Sequence, residues 1–280
     1  MIEPMAPVDL ELLLGSVREI AERAARRILE VYESDFAITQ KEDRSPLTQA
    51  DLASNQAICE GLHQLTPAIP VLSEESRSLP YSERSRWQRY WLVDPLDGTK
   101  EFIKRNGEFT VNIALIEGHA SVLGVVHVPV TNVSYFAARG VGCFKLEPRA
   151  EPVKRLQTRK VNPAKFVVCA SRSHGSQAVQ DLVGKLPGQV EFISQGSSLK
   201  LCLVAEGRAD IYPRFGLTSE WDTAAAQCIV EQAGGIVTDL NFCPIAYNAK
   251  ENILNPFFLV IGDRDYAWRD LIPADVGSAP

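Results

Sequence analysis

Two stretches near the start of the chain carry apolar residues at helical spacing. Over residues 8–32 the apolar positions recur with charged residues between them, which predicts an amphipathic helix. A second helix is predicted from Leu47 to about Leu65, after a polar segment in which residues 36–40 have the composition of a short strand followed by a loop. We interpret the first helix as part of the scaffold.

Shorter apolar runs bounded by Gly, Pro and polar residues predict strands further along the chain. The run from Tyr90 to Val93 is expected to end as a strand at Asp94, because Pro95 fixes its own φ and cannot donate to a sheet. Four strands are then predicted in succession, at 109–116, 120–130, 134–138 and 142–146. Such a succession favours an antiparallel sheet. Residues 77–89 are charged and aperiodic, which is typical of a mobile surface loop.

A change of composition divides the chain into two parts. Residues 147–164 are polar and contain three prolines. We therefore predict an N-terminal α+β domain at 1–155 and a C-terminal α/β domain at 156–280. In the second domain, predicted strands at 166–170, 189–193, 209–213, 236–240 and 257–261 alternate with helices at 175–186, at 197–204 and from Asp222 onward. The tail after Leu271 is expected to fray.

Composition and charge narrow the classes of function. Of the 280 residues, 45% are hydrophobic and 23% are charged, which is ordinary for a globular protein with a sizeable core. The net charge of −6 and the lack of a long Lys/Arg run make the chain a poor candidate for binding a nucleic-acid polymer. No apolar run is long enough to span a bilayer, and the first residues lack the pattern of a secretory signal.

The cysteines argue for a reducing compartment. The nearest two of the six, Cys228 and Cys243, are 15 residues apart, so the spacing of a zinc site is not present. Most of the six lie in apolar stretches, which predicts buried, reduced thiols in a cytosolic protein.

The strongest chemical signal lies in residues 91–102. Asp94 and Asp97 follow an apolar strand and are separated by Pro95, and Gly98-Thr99 come directly after them. Two carboxylates suit Mg²⁺, which prefers oxygen ligands, and the free N–H groups of a helix that opens at Gly98 and Thr99 suit a phosphate. Ordinary turn chemistry is the alternative, since Asp-Pro and Asp-Gly are common turn dipeptides.

Three further acidic residues each have a chemical and a structural interpretation. Asp51 follows Thr48 by three positions, as in a helix-capping pair. Glu74 comes after a short apolar strand at 69–72, where a solvated loop is the alternative. Asp222 opens an apolar helix that ends at Gly234-Gly235, and an N-capping aspartate would explain it without a metal.

Two strings resemble a known family. Asp-Pro-Leu-Asp-Gly-Thr-Lys-Glu-Phe at 94–102 is similar to the first signature of the inositol monophosphatase superfamily of Mg²⁺-dependent, lithium-sensitive phosphatases. Trp221-Asp222 with Ala225, an apolar helix and Gly-Gly resembles the second signature. The Lys-Glu-Phe ending looks like the branch of CysQ-type 3'(2'),5'-bisphosphate nucleotidases. The resemblance implies a layered α-β-α-β-α sandwich with the active site between the two halves.

The resemblance also implies a role for individual residues. Metal ligands are implied at Glu74, Asp94, the Leu96 carbonyl, Asp97 and Asp222, around two or three Mg²⁺ ions. Asp51 would pair with Thr99 to take the proton of the attacking water, and Glu74 is the third residue assigned to catalysis. Substrate contacts are implied for Glu74, Leu96, Asp97, Gly98, Thr99, His174, Ser197, Lys200, Arg214 and Asp222. For His174, Ser197, Lys200 and Arg214 the alternative is ordinary surface polarity.

The activity implied is Mg²⁺-dependent hydrolysis of the 3'-phosphate of adenosine 3',5'-bisphosphate to AMP and phosphate, in sulfur assimilation or nucleotide recycling. Its sulfated relative, 3'-phosphoadenosine 5'-phosphosulfate (PAPS), is a second expected substrate. The alternatives are an inositol or sugar phosphatase and, from another class, an inactive metal-binding regulatory protein. We expect a monomer or homodimer in the cytoplasm, free or peripheral on the cytoplasmic face of the inner membrane.

Overall fold

A computed structural model describes residues 8–33, 38–40, 46–75, 79–148, 152–170 and 177–272. The helices are α1 (Leu10–Tyr32), α2 (Gln49–Leu65), α3 (Tyr81–Arg84), α4 (Thr99–Ile103), α5 (Gln177–Gly184), α6 (Leu199–Ala205) and α7 (Glu220–Gln232), with a 3₁₀ turn at Trp268–Asp270. The strands are β1 (Ile38–Gln40), β2 (Pro46–Thr48), β3 (Val71–Ser73), β4 (Arg89–Asp97), β5 (Thr110–Glu117), β6 (Ala120–Val128), β7 (Val133–Ala138), β8 (Gly142–Leu146), β9 (Lys154–Arg155), β10 (Lys165–Ala170), β11 (Gln189–Ser194), β12 (Ile211–Arg214), β13 (Ile236–Asp239) and β14 (Phe258–Ile261).

The first helical layer follows the predicted amphipathic pattern. Asp9 caps α1, since its carboxylate accepts the N–H groups of Glu11 and Leu12 at 3.1 Å. The apolar face of α1 packs against α2 and against the middle strands of a large sheet. The second helix begins at Gln49 rather than Leu47, because residues 46–48 pair with 38–40 as a small antiparallel sheet. The proposed cap by Thr48 lies outside the side chains that the structure describes.

The large sheet has seven strands in the order β3-β4-β5-β6-β7-β8-β9. All neighbours are antiparallel except β3 and β4, so the predicted antiparallel succession is confirmed. The expected end of the strand at Asp94 was wrong, because β4 continues to Asp97. The register shifts from Asp94 opposite Asn112 to Asp97 opposite Thr110, so β4 carries one extra residue there. Pro95 is tolerated because it falls in this bulge, where the ladder is interrupted.

The segment predicted as a mobile loop at 77–89 is also corrected. Residues 81–84 form α3, and the Arg84 side chain is buried. Trp87 packs against the main core, and Arg89 begins β4. The charged composition of this segment wrongly indicated an exposed loop. A guanidinium can be buried when its N–H groups donate to carbonyl oxygens, as those of Arg84 do to Lys250 and Glu251.

The second sheet has five strands in the order β11-β10-β12-β14-β13. Strands β11, β10 and β12 are parallel, whereas β12, β14 and β13 are antiparallel, so the predicted α/β layer is a mixed sheet. Leu182 and Leu186, in and just after α5, pack on one face of this sheet. Helices α6 and α7 lie between the two sheets. The order of layers is therefore α-β-α-β-α, as predicted.

The two sheets share a core. The largest apolar cluster includes Leu92 and Val126 from the first sheet, Val260 from the second, and Ile229 from the helix between them. The division at 155/156 stays a prediction, although the strands of the first sheet end at Arg155. The predicted fraying after Leu271 concerns residues that are not described beyond 272. Within the described residues, no helix is both long enough and apolar enough to cross a membrane.

His127 gives this fold a testable dependence on pH. It is buried on β6, where its Nδ1 lies 2.8 Å from Ser134 Oγ on β7. Burial, reinforced by the charges of Arg18 and Arg26, lowers the pKa of His127 from 6.5 to about 4. The unfolded chain therefore takes up the proton first as the pH falls. The stability contributed by the neutral ring is present above pH 6.5 and is lost between pH 6.5 and about pH 4.

Between about pH 7.5 and about pH 5, we expect the free energy of unfolding of the unaltered protein to fall by about 2 kcal/mol more than that of His127→Asn. Urea unfolding of both proteins at the two pH values measures the difference. Two proteins that lose stability in parallel would contradict a depressed pKa at His127.

Candidate active site

Three carboxylates from two distant parts of the chain meet at one point. Asp94 and Asp97 come from β4 and Asp222 comes from the first turn of α7, and one oxygen of each lies within 4.8 Å of the others. In a regular strand, residues three apart would point to opposite faces of the sheet. The extra residue in the β4 bulge brings Asp94 and Asp97 to the same side, so the strand irregularity creates the cluster.

Each carboxylate is oriented by local hydrogen bonds. Asp94 Oδ1 accepts the N–H of Leu96 at 3.1 Å inside the bulge. Asp222 Oδ2 accepts the N–H of Ser219 at 2.8 Å in a capping box. The predicted helix start at Asp222 was wrong by two residues, because α7 begins at Glu220; the N-cap is Ser219, and Asp222 is the third residue of the helix. Its capping role and its place in the cluster coexist.

Asp97 is held by residues that the sequence analysis did not single out. Its Oδ2 accepts the N–H and the hydroxyl of Ser198, at 2.7 Å and 2.8 Å, and lies 3.4 Å from Asn112 Nδ2. The Ser198 hydroxyl is also 2.7 Å from the Asp222 carbonyl, so it links the two carboxylate-bearing elements. A polar Asn112 inside an otherwise apolar strand was the one signal that could have indicated this support.

Glu74 and Asp51 lie close enough to act electrostatically on the cluster. The N–H of Glu74 donates to the Val93 carbonyl at 3.1 Å, which places Glu74 beside the end of β4. Asp51 is buried in the first turn of α2, and both acidic charges raise the pKa of Asp94. Their predicted roles, as a metal ligand and as the partner of Thr99, stay predictions, as does the ligand role of the buried Leu96.

The electrostatics of the cluster favour a bound cation. Burial raises the pKa of Asp94 well above its usual value, and the charge of Glu74 is the next largest cause. Burial and then Asp97 raise the pKa of Asp222 to about 7. A bound cation offsets the electrostatic repulsion between buried acidic groups. A set of donors made up only of oxygen atoms suits a hard divalent cation. The described carboxylates therefore fit a metal ion.

A cleft of about 500 Å³ opens from Asp97 and Asp222. Its lining includes Gly98 and four basic residues, namely Lys100, Lys104, Lys200 and Arg214. The structure thus brings Ser197, Lys200 and Arg214 to the same cleft, as predicted from the sequence. His174 falls outside the described residues.

The predicted substrate-binding residues differ in how many of their hydrogen-bond donors already bond to other groups of the protein. The Ser197 hydroxyl lies 2.8 Å from the carbonyls of both Asp97 and Glu108, so it holds its own loop to the end of β4 and to the segment before β5. Lys200 is only 9% exposed and its Nζ donates to the Ser197 carbonyl at 2.7 Å. Arg214 Nε is buried and has no hydrogen-bond partner within the described part of the chain. Its Nη2 donates to the Leu217 carbonyl at 3.1 Å.

The turn at Gly98 requires glycine. Its φ is 95°, in the left-handed region, and an added Cβ would lie 2.2 Å from Ser197 Oγ. The residue precedes α4, as predicted, and Thr99 is the first residue of that helix. The close approach of the Gly98 and Ser197 loops is what brings the carboxylate cluster next to the basic cleft.

Comparisons with known proteins agree with this architecture. The chain matches the model of the inositol monophosphatase family over residues 5–269. It is 48% identical over 250 residues to 3'(2'),5'-bisphosphate nucleotidase CysQ of Escherichia coli (strain K12), which covers 89% of this chain and 99% of the relative. The protein of the same name from Haemophilus influenzae is 38% identical over 265 residues, 93% of this chain and 97% of the relative. The crystal structure of CysQ from Bacteroides thetaiotaomicron, a bacterial member of the same family, superimposes with a TM-score of 0.79 at 42% identity, over 91% of this chain and 98% of that one.

Proposed function

We propose that this chain, which belongs to the inositol monophosphatase family, is a 3'(2'),5'-bisphosphate nucleotidase that converts adenosine 3',5'-bisphosphate to AMP and phosphate. The observation that carries the proposal is the carboxylate cluster of Asp94, Asp97 and Asp222 at the head of a cleft lined by four basic side chains. The cluster suits the phosphate that is cleaved, and the basic cleft suits a second phosphate that is not.

We propose that the site binds two or three Mg²⁺ ions. Glu74, Asp94, the Leu96 carbonyl, Asp97 and Asp222 would hold them. When bound, Mg²⁺ supplies a Lewis acid that neutralises phosphate charge and lowers the pKa of water. The support in this chain is the all-oxygen donor set and the mutual repulsion of its buried acids.

The chain's own groups would perform the remaining work. Asp51 with Thr99 would accept the proton of the attacking water, and the charge of Asp51 acts on Asp94 in this structure. The backbone N–H groups at Gly98 and Thr99 would hold the phosphate at the start of α4. Ser198 and Asn112 would keep Asp97 aimed at the cluster through the three hydrogen bonds described above.

Two features support this proposal against an inositol monophosphatase and against a regulatory protein. Inositol 1-phosphate has a single phosphate, so it would bring no second anion to Lys100, Lys104, Lys200 and Arg214, which share the cleft with Glu101 and Glu108. A bisphosphate nucleotide supplies the second anion, and so does the phosphosulfate group of PAPS, which we propose as a second substrate. An inactive regulatory protein would have no use for the proton-accepting pair that we assign to Asp51 and Thr99.

Phosphate release from adenosine 3',5'-bisphosphate, inositol 1-phosphate and fructose 1,6-bisphosphate tests the substrate. We expect kcat/KM with Mg²⁺ to favour the nucleotide by about 100-fold, because two charge-assisted hydrogen bonds are together worth about 3 kcal/mol. Fructose 1,6-bisphosphate serves as the control with two phosphates and no nucleoside. A preference for inositol 1-phosphate would overturn the substrate assignment. No release from any of the three would favour the regulatory protein.

We further propose a cytoplasmic location. All six cysteines are free thiols, and four are buried, which suits a reducing compartment. The peripheral attachment considered from the sequence draws no support from α1, because the apolar face of this helix packs in the core. The prediction of a monomer or homodimer stays a prediction.

A further inference from the structure

A second group of buried polar residues lies beside the carboxylate cluster and takes no part in the mechanism above. Arg84, Glu220 and Asn248 are exposed by only 3%, 1% and 1%. They come from α3, from the first turn of α7 and from the segment before β14. Burying an arginine and a glutamate is unfavourable unless their hydrogen bonds are well formed, and apolar residues can often fill such a place with equal stability. Their presence calls for a reason beyond packing.

Asn248 joins the other two residues directly. Its backbone N–H donates to Glu220 Oε2 at 2.8 Å, and its side-chain Nδ2 donates to the Arg84 carbonyl at 2.7 Å. The Arg84 guanidinium in turn donates to Asn248 Oδ1 and to the carbonyls of Lys250 and Glu251. Asn248 has a φ of 53°, the left-handed region that asparagine tolerates better than most residues, so the segment is tightly bent at this point.

The same segment holds the start of α7 along its length. We call residues 247–255 the strap. Its Ile253 carbonyl accepts the N–H of Glu220 at 2.9 Å, and the N–H of Asn255 donates to the Thr218 carbonyl at 2.8 Å. At the other end, the N–H of Tyr247 donates to the His119 carbonyl at 3.0 Å, which fixes the strap to the turn between β5 and β6. The first turn of α7 cannot shift without breaking these bonds.

The network connects the two sides of the carboxylate cluster. Glu220 stands two residues before Asp222, and Arg84 belongs to the helix that follows the Glu74 segment. Arg84 and Glu74 also line one recess of about 420 Å³, together with Trp221. We propose that Arg84, Glu220 and Asn248 are positioning residues, which fix Asp222 relative to Glu74 and thereby set the affinity of the site for a divalent cation. The proposal rests on the metal site of the proposed function and not on the identity of its phosphate ester.

Binding of Mn²⁺, followed by its electron paramagnetic resonance signal, tests the proposal without any substrate. We expect Glu220→Ala to weaken Mn²⁺ binding by about tenfold, since loss of a residue that orients a metal ligand has effects of this size. Glu220→Gln keeps an oxygen acceptor for the Asn248 N–H and removes only the charge, so it should bind Mn²⁺ within about twofold of the unaltered chain. An equal loss in Glu220→Gln would show that charge acts alone, and would overturn the positioning role.

Glu206→Ala is the matched control. The side chain of Glu206 is only 5% exposed, and accepts hydrogen bonds from Tyr135 and Lys145 at 2.5 Å and 2.9 Å. Its partners lie on β7 and β8, at least three strands from β4. We expect Glu206→Ala, like Glu220→Ala, to melt at a lower temperature than the unaltered chain. Its affinity for Mn²⁺ should be unchanged.

The remaining outcomes separate this inference from the proposed function. Glu220→Ala could fold with lower stability and still bind Mn²⁺ as tightly as the unaltered chain. That result would mean that Glu220 has a merely structural role. If Glu220→Ala does not fold, Arg84→Lys serves as the test, because lysine keeps the positive charge but cannot make the several hydrogen bonds of the guanidinium. We expect Arg84→Lys to bind Mn²⁺ severalfold more weakly than the unaltered chain. Unchanged Mn²⁺ binding would overturn the proposal. Failure of the unaltered chain to bind Mn²⁺ would overturn the metal site itself.

Discussion

Asp94→Asn is expected to lower kcat by about 10³-fold or more, while the chain keeps its cooperative fold. Asparagine retains the shape of the side chain and an oxygen that can accept the Leu96 N–H, so the β4 bulge should survive. The substitution removes the charge that lies deepest in the carboxylate cluster. Phosphate release from adenosine 3',5'-bisphosphate at saturating Mg²⁺ measures the loss, and retained activity would contradict the metal assignment.

The same variant should change how metal affects stability. Burial and the charge of Glu74 raise the pKa of Asp94, so its stabilising contribution is present at low pH and is lost as the pH rises through the folded-state pKa. At neutral pH the carboxyl is ionised in the unfolded chain, so a folded state that disfavours its ionisation makes Asp94 destabilising in the metal-free protein. Without divalent cations, Asp94→Asn should melt at a higher temperature than the unaltered chain. Excess Mg²⁺ should reverse the order, because a ligand stabilises the protein that binds it more tightly.

Asp239→Asn provides the control for this chemical change. Asp239 ends β13 and accepts the N–H groups of Asn241 and Cys243, which an asparagine oxygen can also do. We expect its activity and its response to Mg²⁺ to stay within about twofold of the unaltered chain. If both variants lost activity equally, the loss could not be assigned to the cluster.

Gly124→Ala is expected to destabilise the protein by about 3 kcal/mol and to weaken metal binding with it. An added Cβ at Gly124 would lie 2.1 Å from the Ala225 carbonyl oxygen and 2.8 Å from its carbon. Both are backbone atoms of α7, so no side chain can rotate away and the helix must move off the sheet. Because α7 carries Asp222, that movement would also separate the carboxylates. Urea unfolding and Mn²⁺ titration measure the two effects.

Gly15→Ala is the opposite case and serves as the control. Gly15 lies in α1, and an added Cβ there would meet no atom within 4 Å. Alanine favours a helix over glycine by about 1 kcal/mol, so this variant should be slightly more stable than the unaltered chain. Equal effects of the two substitutions would contradict the close approach between β6 and α7.

Several features were predictable because their causes are local. The helical period in α1 and the continuous apolar runs of β5 and β6 follow from which side chains must be buried. The acidic residues Asp94, Asp97 and Asp222 were singled out because their neighbours in sequence form recognisable strings. The small residues Ala224 to Ala226 allow close packing of α7, and the backbone of Ala225 lies against Gly124.

Other features were missed because their causes lie far away in the sequence. Arg84 looked like a loop residue, yet its hydrogen-bond partner Asn248 is 164 positions later. The support of Asp97 by Ser198 spans 101 positions. A pattern within a short window cannot register such contacts, because the partner that makes burial of a polar group favourable is absent from the window.

The amino-acid sequence by itself thus determined the types of element, their order and the chemistry that the acidic residues can perform. Tertiary structure alone decided how these residues meet. The β4 bulge turns Asp94 and Asp97 to one side, packing of α7 against Gly124 brings Asp222 to them, and the strap fixes that helix in place. The physical reason is that propensity and periodicity act between near neighbours, whereas strand register and helix packing are set by contacts between segments that only the folded chain brings together.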